Sequence, residues 1–191
     1  MPDINVLALC GSLRRGSYNH IVMDALPALA PTGMTITSAP PIGDLPLYNF
    51  DHQQEEGFPS GAVALAEAIR ATDGVIIVTP EYNYSVPGVL KNAIDWVSRM
   101  PNQPFQNKPV ALQSASVGVL GGARAQYHLR QIMVFLEAHV FNRPEVFVTM
   151  AKSKIDEEKR ALTDEPTREV IRTQLTAFSS FIAKVGGGGP A

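Results

Sequence analysis

Apolar residues along the chain alternate between short unbroken runs and runs at helical spacing. Ile4 to Leu9, Gly74 to Val78 and Pro109 to Ser116 are nearly continuous, as expected of strands covered on both faces, and Met34 to Ser38 and Glu145 to Thr149 are shorter candidates. Between the runs, Val22, Ala25, Leu26 and Leu29 recur at helical intervals, and so do Ala62, Leu65, Ala66 and Ile69. The same spacing returns in Val89, Leu90, Ala93, Ile94 and Val97, and in Leu129, Ile132, Met133 and Leu136. A last helix is predicted over residues 167–185, with Ile171, Leu175, Phe178, Ile182 and Val185 on one stripe. Pro27 is expected to bend the first helix or end it early. Lys91 and Asp95, four apart, fall together on a polar face of the third.

Five strand and helix alternations joined by right-handed crossovers predict an α/β fold, a doubly wound parallel sheet of five strands with helices on both faces. With strand order 2-1-3-4-5, the loops after strands one and three flank the switch point where such sheets bind ligands, and the loop after strand four borders it. Residues 39–58, rich in Pro, Gly and Asp, form a long surface connection whose length favours a functional role. On it, Tyr48 and Phe50 are cofactor contacts, subunit contacts or simple anchors. Residues 152–166 are charged and are expected to be a solvated connection, and 186–191 a flexible Gly-rich tail. No repeat or boundary interrupts residues 1–185, which are expected to be one domain.

The first of the three loops, Leu9 to Asn19, leaves a strand at Gly11 and enters a helix through Ser17 and Asn19. Such a break leaves backbone N–H groups unpaired beside the positive end of a helix dipole, which makes an anion cradle. Arg14 and Arg15 add positive charge, and Ser12, Ser17 and Asn19 add side-chain donors, so a phosphate group is the natural guest. The spacing excludes other phosphate loops. Gly11 and Gly16 have the first P-loop interval, but Ser17 stands where lysine is needed. Leu13 occupies the second glycine of a dinucleotide fingerprint, and Gly16 the arginine of a Cys-x5-Arg phosphatase loop starting at Cys10. Cys10 then reads as a small buried residue at a strand end.

A chain of 191 residues can bury about 70% of its unfolded surface without metal or disulfide staples, and one cysteine agrees with a reducing compartment. A net charge of −2 provides no field to recruit nucleic acid or an acidic membrane surface. No apolar run reaches the length of a membrane span, and the N-terminus opens on a strand pattern instead of a targeting segment. These features lead us to expect a soluble cytoplasmic protein.

The second loop, Thr79 to Gly88, bears on the ligand. Pro80 and Pro87 stiffen it, and Tyr82, Asn83 and Tyr84 between them suit a flat heterocycle edged with hydrogen-bonding groups. A heterocycle on this loop and one terminal phosphate on the first describe FMN. In the alternative, Tyr82 and Tyr84 are ordinary loop aromatics packed on a neighbour.

At this point the chain resembles the NADPH-dependent FMN reductase family, in particular its chromate- and quinone-reducing flavoproteins. Three segments carry the resemblance: Gly11 to Asn19, Pro80 to Trp96, and Gly118 to Gln126. It implies a flavodoxin-like fold, bound FMN, and two-electron reduction of quinones and similar acceptors, among them chromate, azo compounds and free flavin, by NADPH or NADH. It also implies that Ser12, Arg14, Ser17 and Asn19 hold the phosphate, with Leu13, Arg15, Gly16 and Tyr18 completing that segment. Pro80, Glu81, Tyr82, Asn83 and Tyr84 then hold the ring and Ser116 the cofactor's edge. By the same resemblance relatives associate as dimers and tetramers, so a homodimer or homotetramer is expected, with residues 39–58, Trp96 and the set Arg124, Tyr127 and Glu145 offering its surface; in the alternative, Trp96 is a core residue and the charged set a solvated face.

The cofactor carries such chemistry, and no side chain is obliged to act as acid or base, so neither a catalytic residue nor a metal ligand is assigned. One ring face serving donor and acceptor in turn implies ping-pong kinetics. A flavodoxin-like electron carrier would share fold and FMN but dock protein partners through a strongly charged face.

Overall fold

The computed structural model describes residues 3–186. Its sheet is built from β1 (Ile4–Cys10), β2 (Met34–Ser38), β3 (Gly74–Thr79), β4 (Pro109–Ala115), β5 (His139–Val140) and β6 (Val146–Val148). All pairings are parallel, in the order β2-β1-β3-β4, with β5 and β6 both paired to β4. The fifth strand expected over residues 145–149 is β6, and β5 is a further two-residue piece ahead of it that the pattern does not signal. Between them Pro144, which has no N–H to give to a ladder, interrupts the pairing.

Successive residues of the central strands enter opposite cores, which explains their unbroken apolar runs. Val6, Ala8, Ile76 and Val78 face α1 (Tyr18–Leu29) and α6 (Glu165–Gly186). Leu7, Leu9, Val75 and Ile77 face α3 (Ser60–Arg70), α4 (Gly88–Ser98) and α5 (Ala123–Phe135). This is the flavodoxin-like arrangement, with each helix at the place its apolar stripe predicts. α1 does not end early: Pro27 sits on its solvent side two residues before the end, flanked by the buried Leu26 and Leu29. Lys91 and Asp95 pair at 2.7 Å on α4.

Residues 39–58 are less loose than their composition suggests. They contain α2 (Phe50–Glu56), capped by the Asn49 side chain accepting from the Asp51 N–H at 2.9 Å and closed at Gly57, whose φ is 82°. The segment is strapped to α4. The indole of Trp96 donates to the Pro46 carbonyl at 2.7 Å, and Asn92 accepts from the Tyr48 N–H and donates to the Pro46 carbonyl. Tyr48 meets the Trp96 ring edge-on at 5.0 Å, while Phe50 is exposed at the start of α2. Trp96 is wholly buried by this strap, which corrects the expectation that it offers surface to another subunit.

Residues 152–166 also hold structure. After a 3-10 turn at Ala151–Ser153, β7 (Ile155–Asp156) and β8 (Ala161–Leu162) form an antiparallel hairpin whose Ile155 and Leu162 enter the α1 and α6 core. Gly186 is the last residue of α6, and the rest of the expected tail, 187–191, lies outside the described residues.

Candidate functional site

The strand register brings the three loops together. Cys10 lies beside Val78 and Thr79 beside Ser114, so the chain leaves β1, β3 and β4 at neighbouring points on one edge of the sheet. The first two exits are in close contact: the Gly11 N–H donates to the Val78 carbonyl at 2.9 Å, and a Cβ on Gly11 would lie 2.6 Å from Thr79 Oγ1. Only glycine fits there.

In the first loop, Ser12 and Ser17 are buried and each uses its hydroxyl oxygen to accept one backbone N–H. Ser12 accepts from Arg14 at 3.3 Å and Ser17 caps α1 by accepting from Asn19 at 3.2 Å. Both keep a hydroxyl proton to donate. Among the described residues the N–H groups of Leu13, Arg15, Gly16 and Tyr18 have no intramolecular acceptor, and neither Arg14 nor Arg15 forms an ion pair. The Arg14 guanidinium lies 5.3 Å from the centre of the Tyr18 ring. These donors meet no anion of the chain among the described residues, so the residues fit a phosphate.

Asn19 is differently placed. It is buried, its Nδ2 donates to the Ala115 carbonyl at 3.0 Å, and its Oδ1 accepts from the Ala115 N–H at 2.8 Å. The side chain is a strut between α1 and the end of β4, with one amide hydrogen left over.

The second loop is a tight turn. Tyr82 and Ser85 exchange both backbone hydrogen bonds at 3.0 Å, with Asn83 and Tyr84 at φ 49° and 68°. Left-handed backbone is unusual for tyrosine, and Tyr84 is held there by its ring, 3.7 Å from the Arg124 guanidinium carbon. Tyr82 and Tyr84 remain 49% and 66% exposed, leaving ring surface for a ligand. The Glu81 carboxylate is committed within the chain. It accepts from the N–H groups of Arg124 and Ala125 at the start of α5, at 3.0 and 3.3 Å, and pairs with the Arg124 side chain at 3.0 Å. Ser85 Oγ and His128 Nδ1, 2.8 Å apart, add a further tie to α5.

The third loop is shaped from beneath. Gln126, wholly buried, donates to Ser114 Oγ at 2.7 Å, and Ser114 Oγ donates to the Gly121 carbonyl at 2.6 Å. Ser116 accepts from the Gly118 N–H at 3.1 Å, which folds the loop back on itself. A depression of about 260 Å³ lies among Glu81, Ser116, residues 118–122 and Arg124. A second hollow, of about 180 Å³, is walled by Cys10, Ser12, Leu13, His20 and residues 39–42 and includes no residue of the other two loops. Cys10 is buried there, and desolvation pushes its thiol up to about 11, which keeps it protonated and inert at neutral pH.

Sequence reasoning assembled these loops correctly but missed what holds them. The Ser114 and Gln126 bonds lie under the third loop, and the β7–β8 hairpin touches the first. The consecutive Gly121 and Gly122 before a helix were the one local signal of close packing; nothing in the chain marks the hairpin's partner, 139 residues away.

Comparison with known proteins points the same way. The family model for NADPH-dependent FMN reductases matches residues 4–153. A quinone reductase of Escherichia coli is 55% identical over 95% of this chain and 97% of its own length. An NAD(P)H-dependent FMN reductase of Pseudomonas aeruginosa is 49% identical over 97% and 98%. Among solved structures, a flavoenzyme NAD(P)H:acceptor oxidoreductase from Paracoccus denitrificans superposes with a TM-score of 0.84 at 34% identity, covering 95% of this chain and 98% of that one.

Proposed function

The chain belongs to the NADPH-dependent FMN reductase family, and from that premise we propose that its FMN lies across the crevice between the first, second and third loops. It is an NAD(P)H-dependent FMN oxidoreductase that reduces quinones. Family membership sets aside the electron-carrier alternative. FMN bound there would supply the two-electron chemistry between NAD(P)H and the acceptor. The observation that carries the placement is a first loop with uncommitted N–H groups, two buried hydroxyls and an Arg14 without an ion pair, on the same sheet edge as a turn with two exposed tyrosines.

In this reading Ser12 and Ser17 donate their hydroxyl protons to the phosphate, while the N–H groups of Leu13, Arg15, Gly16 and Tyr18 and the Arg14 guanidinium supply the remaining donors. Asn19 fixes the helix end that presents them. Pro80 and Glu81 set the entry to the Tyr82–Ser85 turn, and Tyr82, Asn83 and Tyr84 present rings and backbone donors to the heterocycle. Ser116 and the loop it folds close the far edge. Donor and acceptor use the same face in turn, giving ping-pong kinetics. Chromate, azo compounds and free flavin are further acceptors in this proposal.

Anaerobic titration tests the reading: NADPH alone should bleach the flavin absorbance of the holoprotein and a quinone should restore it. Replacing Arg14 by Ala should remove a charge-assisted contact worth about 1.5 to 3 kcal/mol and weaken FMN binding at least tenfold, with the fold intact. Full flavin occupancy after dialysis of Arg14→Ala would overturn the phosphate assignment.

A cytoplasmic homodimer or homotetramer is part of the same proposal. Arg124 and Glu145 are engaged within the chain, with Glu81 and Arg130, so the interface reading rests instead on one stripe of α5. There Tyr127, Val134 and Phe135 are 54%, 75% and 77% exposed, at helical spacing. No helix among the described residues is long and apolar enough to cross a membrane. Sedimentation at micromolar concentration should show a species of at least twice 20.6 kDa, and a single species of monomer mass would overturn the assembly.

A further inference from the structure

The tip of the β7–β8 hairpin lies against the outside of the first loop and holds it at two points. Glu157 accepts a hydrogen bond from the Tyr18 hydroxyl, and Arg160 Nη1 donates to the Arg15 carbonyl at 2.6 Å. The base of the hairpin is fixed, because Ile155 and Leu162 are buried in the core beneath α1. Its tip is set by Asp156 accepting from the Lys159 N–H at 2.9 Å and by left-handed backbone at Arg160, φ 50°. The loop it touches has little internal support. Between Leu13 and Gly16 all four residues are exposed; the bonds that hold the loop run from the Arg14 N–H to Ser12, from the Ser17 N–H to the Arg14 carbonyl and from the Asn19 N–H to Ser17, with His20 Nε2 2.8 Å from the Ser12 carbonyl.

We propose that this hairpin is a clasp for the cofactor's phosphate, with Glu157 and Arg160 as positioning residues that set the first loop in its anion-binding form. The inference rests on the assignment of that loop to the FMN phosphate. Two geometric consequences carry it. In a trans peptide the carbonyl and the following N–H point in opposite directions, so when Arg160 draws the Arg15 carbonyl outward, the Gly16 N–H is turned to the other side, toward the cradle. The second consequence runs through Tyr18. Glu157 holds its hydroxyl, the hydroxyl fixes the ring, and the ring carries the Arg14 guanidinium 5.3 Å above its centre. Arg160 also lies 3.9 Å from Asp24 on α1, but both groups are about half exposed and that pair adds little. A loop held ready loses less freedom on binding than one that must be ordered, so the clasp acts chiefly on how long the phosphate stays.

The test compares FMN with riboflavin, which has the ring and lacks the phosphate. In the holoprotein, Glu157→Ala with Arg160→Met should raise the FMN dissociation rate at least tenfold, read from the fluorescence of released flavin. Both positions are exposed, so melting temperature should hold. Riboflavin affinity of the apoprotein should stay within twofold, and Arg160→Lys alone, which keeps a donor, should restore most FMN retention. An FMN dissociation rate within twofold of the parent, or equal weakening of FMN and riboflavin, overturns the clasp. Arg14→Ala run in parallel separates the two readings. If it shifts the FMN to riboflavin ratio and the hairpin variants do not, the clasp alone falls; if neither shifts it, the phosphate loop assignment falls as well.

Discussion

Asn19→Leu should cost the fold about 2 to 6 kcal/mol and release the flavin with it. The carboxamide is paired to both backbone groups of Ala115, a residue at the end of β4 that is itself buried. Leucine has nearly the same length and no polar atom. The substitution therefore strands one buried N–H and one buried carbonyl, at about 1 to 3 kcal/mol each. The functional consequence follows from where the strut ends: Asn19 is in the first turn of α1, which presents the anion cradle, and Ser116, next after Ala115, opens the third loop. One side chain thus fixes the spacing between the two ends of the crevice. Urea unfolding of the apoprotein should show the loss of stability, and flavin content after gel filtration the loss of cofactor. Unfolding free energy within 1 kcal/mol of the parent would show that the strut is dispensable.

Asn19 also shows how much of the site the sequence makes legible. A helix start rich in Ser, Asn and Arg after a strand identifies an anion cradle, because the unpaired N–H groups are a property of any helix end. It does not say which polar side chain turns outward. Ser17 caps its own helix and Asn19 turns inward to β4, though both read from the sequence as donors to the ligand. Glu81 is a parallel case: its position beside the turn is readable, but its carboxylate goes to the start of α5, 43 residues on.

The fold was legible for a different reason. Strands covered on both faces must be apolar throughout, and helices that cover them must carry a stripe, so the central strands and the helices that cover them follow from pattern alone. Elements without a stripe were lost. α2 buries no residue and is signalled only by its ends, the Asn49 cap, Asp51 in the first turn and Gly57. The β7–β8 hairpin contributes just Ile155 and Leu162 to the core, among charged neighbours that mask the alternation. Trp96 invited the opposite error. An aromatic ring late in an amphipathic helix looks available for an interface until Tyr48, Phe58 and the Pro46 carbonyl, from a stretch with no periodic signal, are found covering it.

Gly122→Val should damage both stability and cofactor retention, because two independent constraints meet at that residue. Its φ of 89° lies in the left-handed region, where a β-branched side chain is strained by about 1 to 3 kcal/mol. A Cβ built there would also lie 2.7 Å from the Ser114 Cβ and 2.8 Å from its Oγ, an overlap that costs about 1 to 3 kcal/mol to relieve. Ser114 cannot give way freely, since its hydroxyl both receives the Gln126 amide and holds the Gly121 carbonyl. Relief must come from the third loop or the start of α5, and the start of α5 is where Glu81 is anchored. The turn bearing Tyr82 and Tyr84 then moves along with the Ser116 side of the crevice. For a chain of this size about 2 to 6 kcal/mol corresponds to a melting temperature lowered by roughly 4 to 24 °C. Gly88→Ala is the control: it opens α4, and a Cβ there meets nothing within 4 Å. Thermal melts of the apoproteins, with flavin content measured on the same preparations, should separate the two variants. Equal melting temperatures for Gly122→Val and Gly88→Ala would mean that Ser114 and the loop accommodate the side chain, and that the third loop is not fixed from beneath.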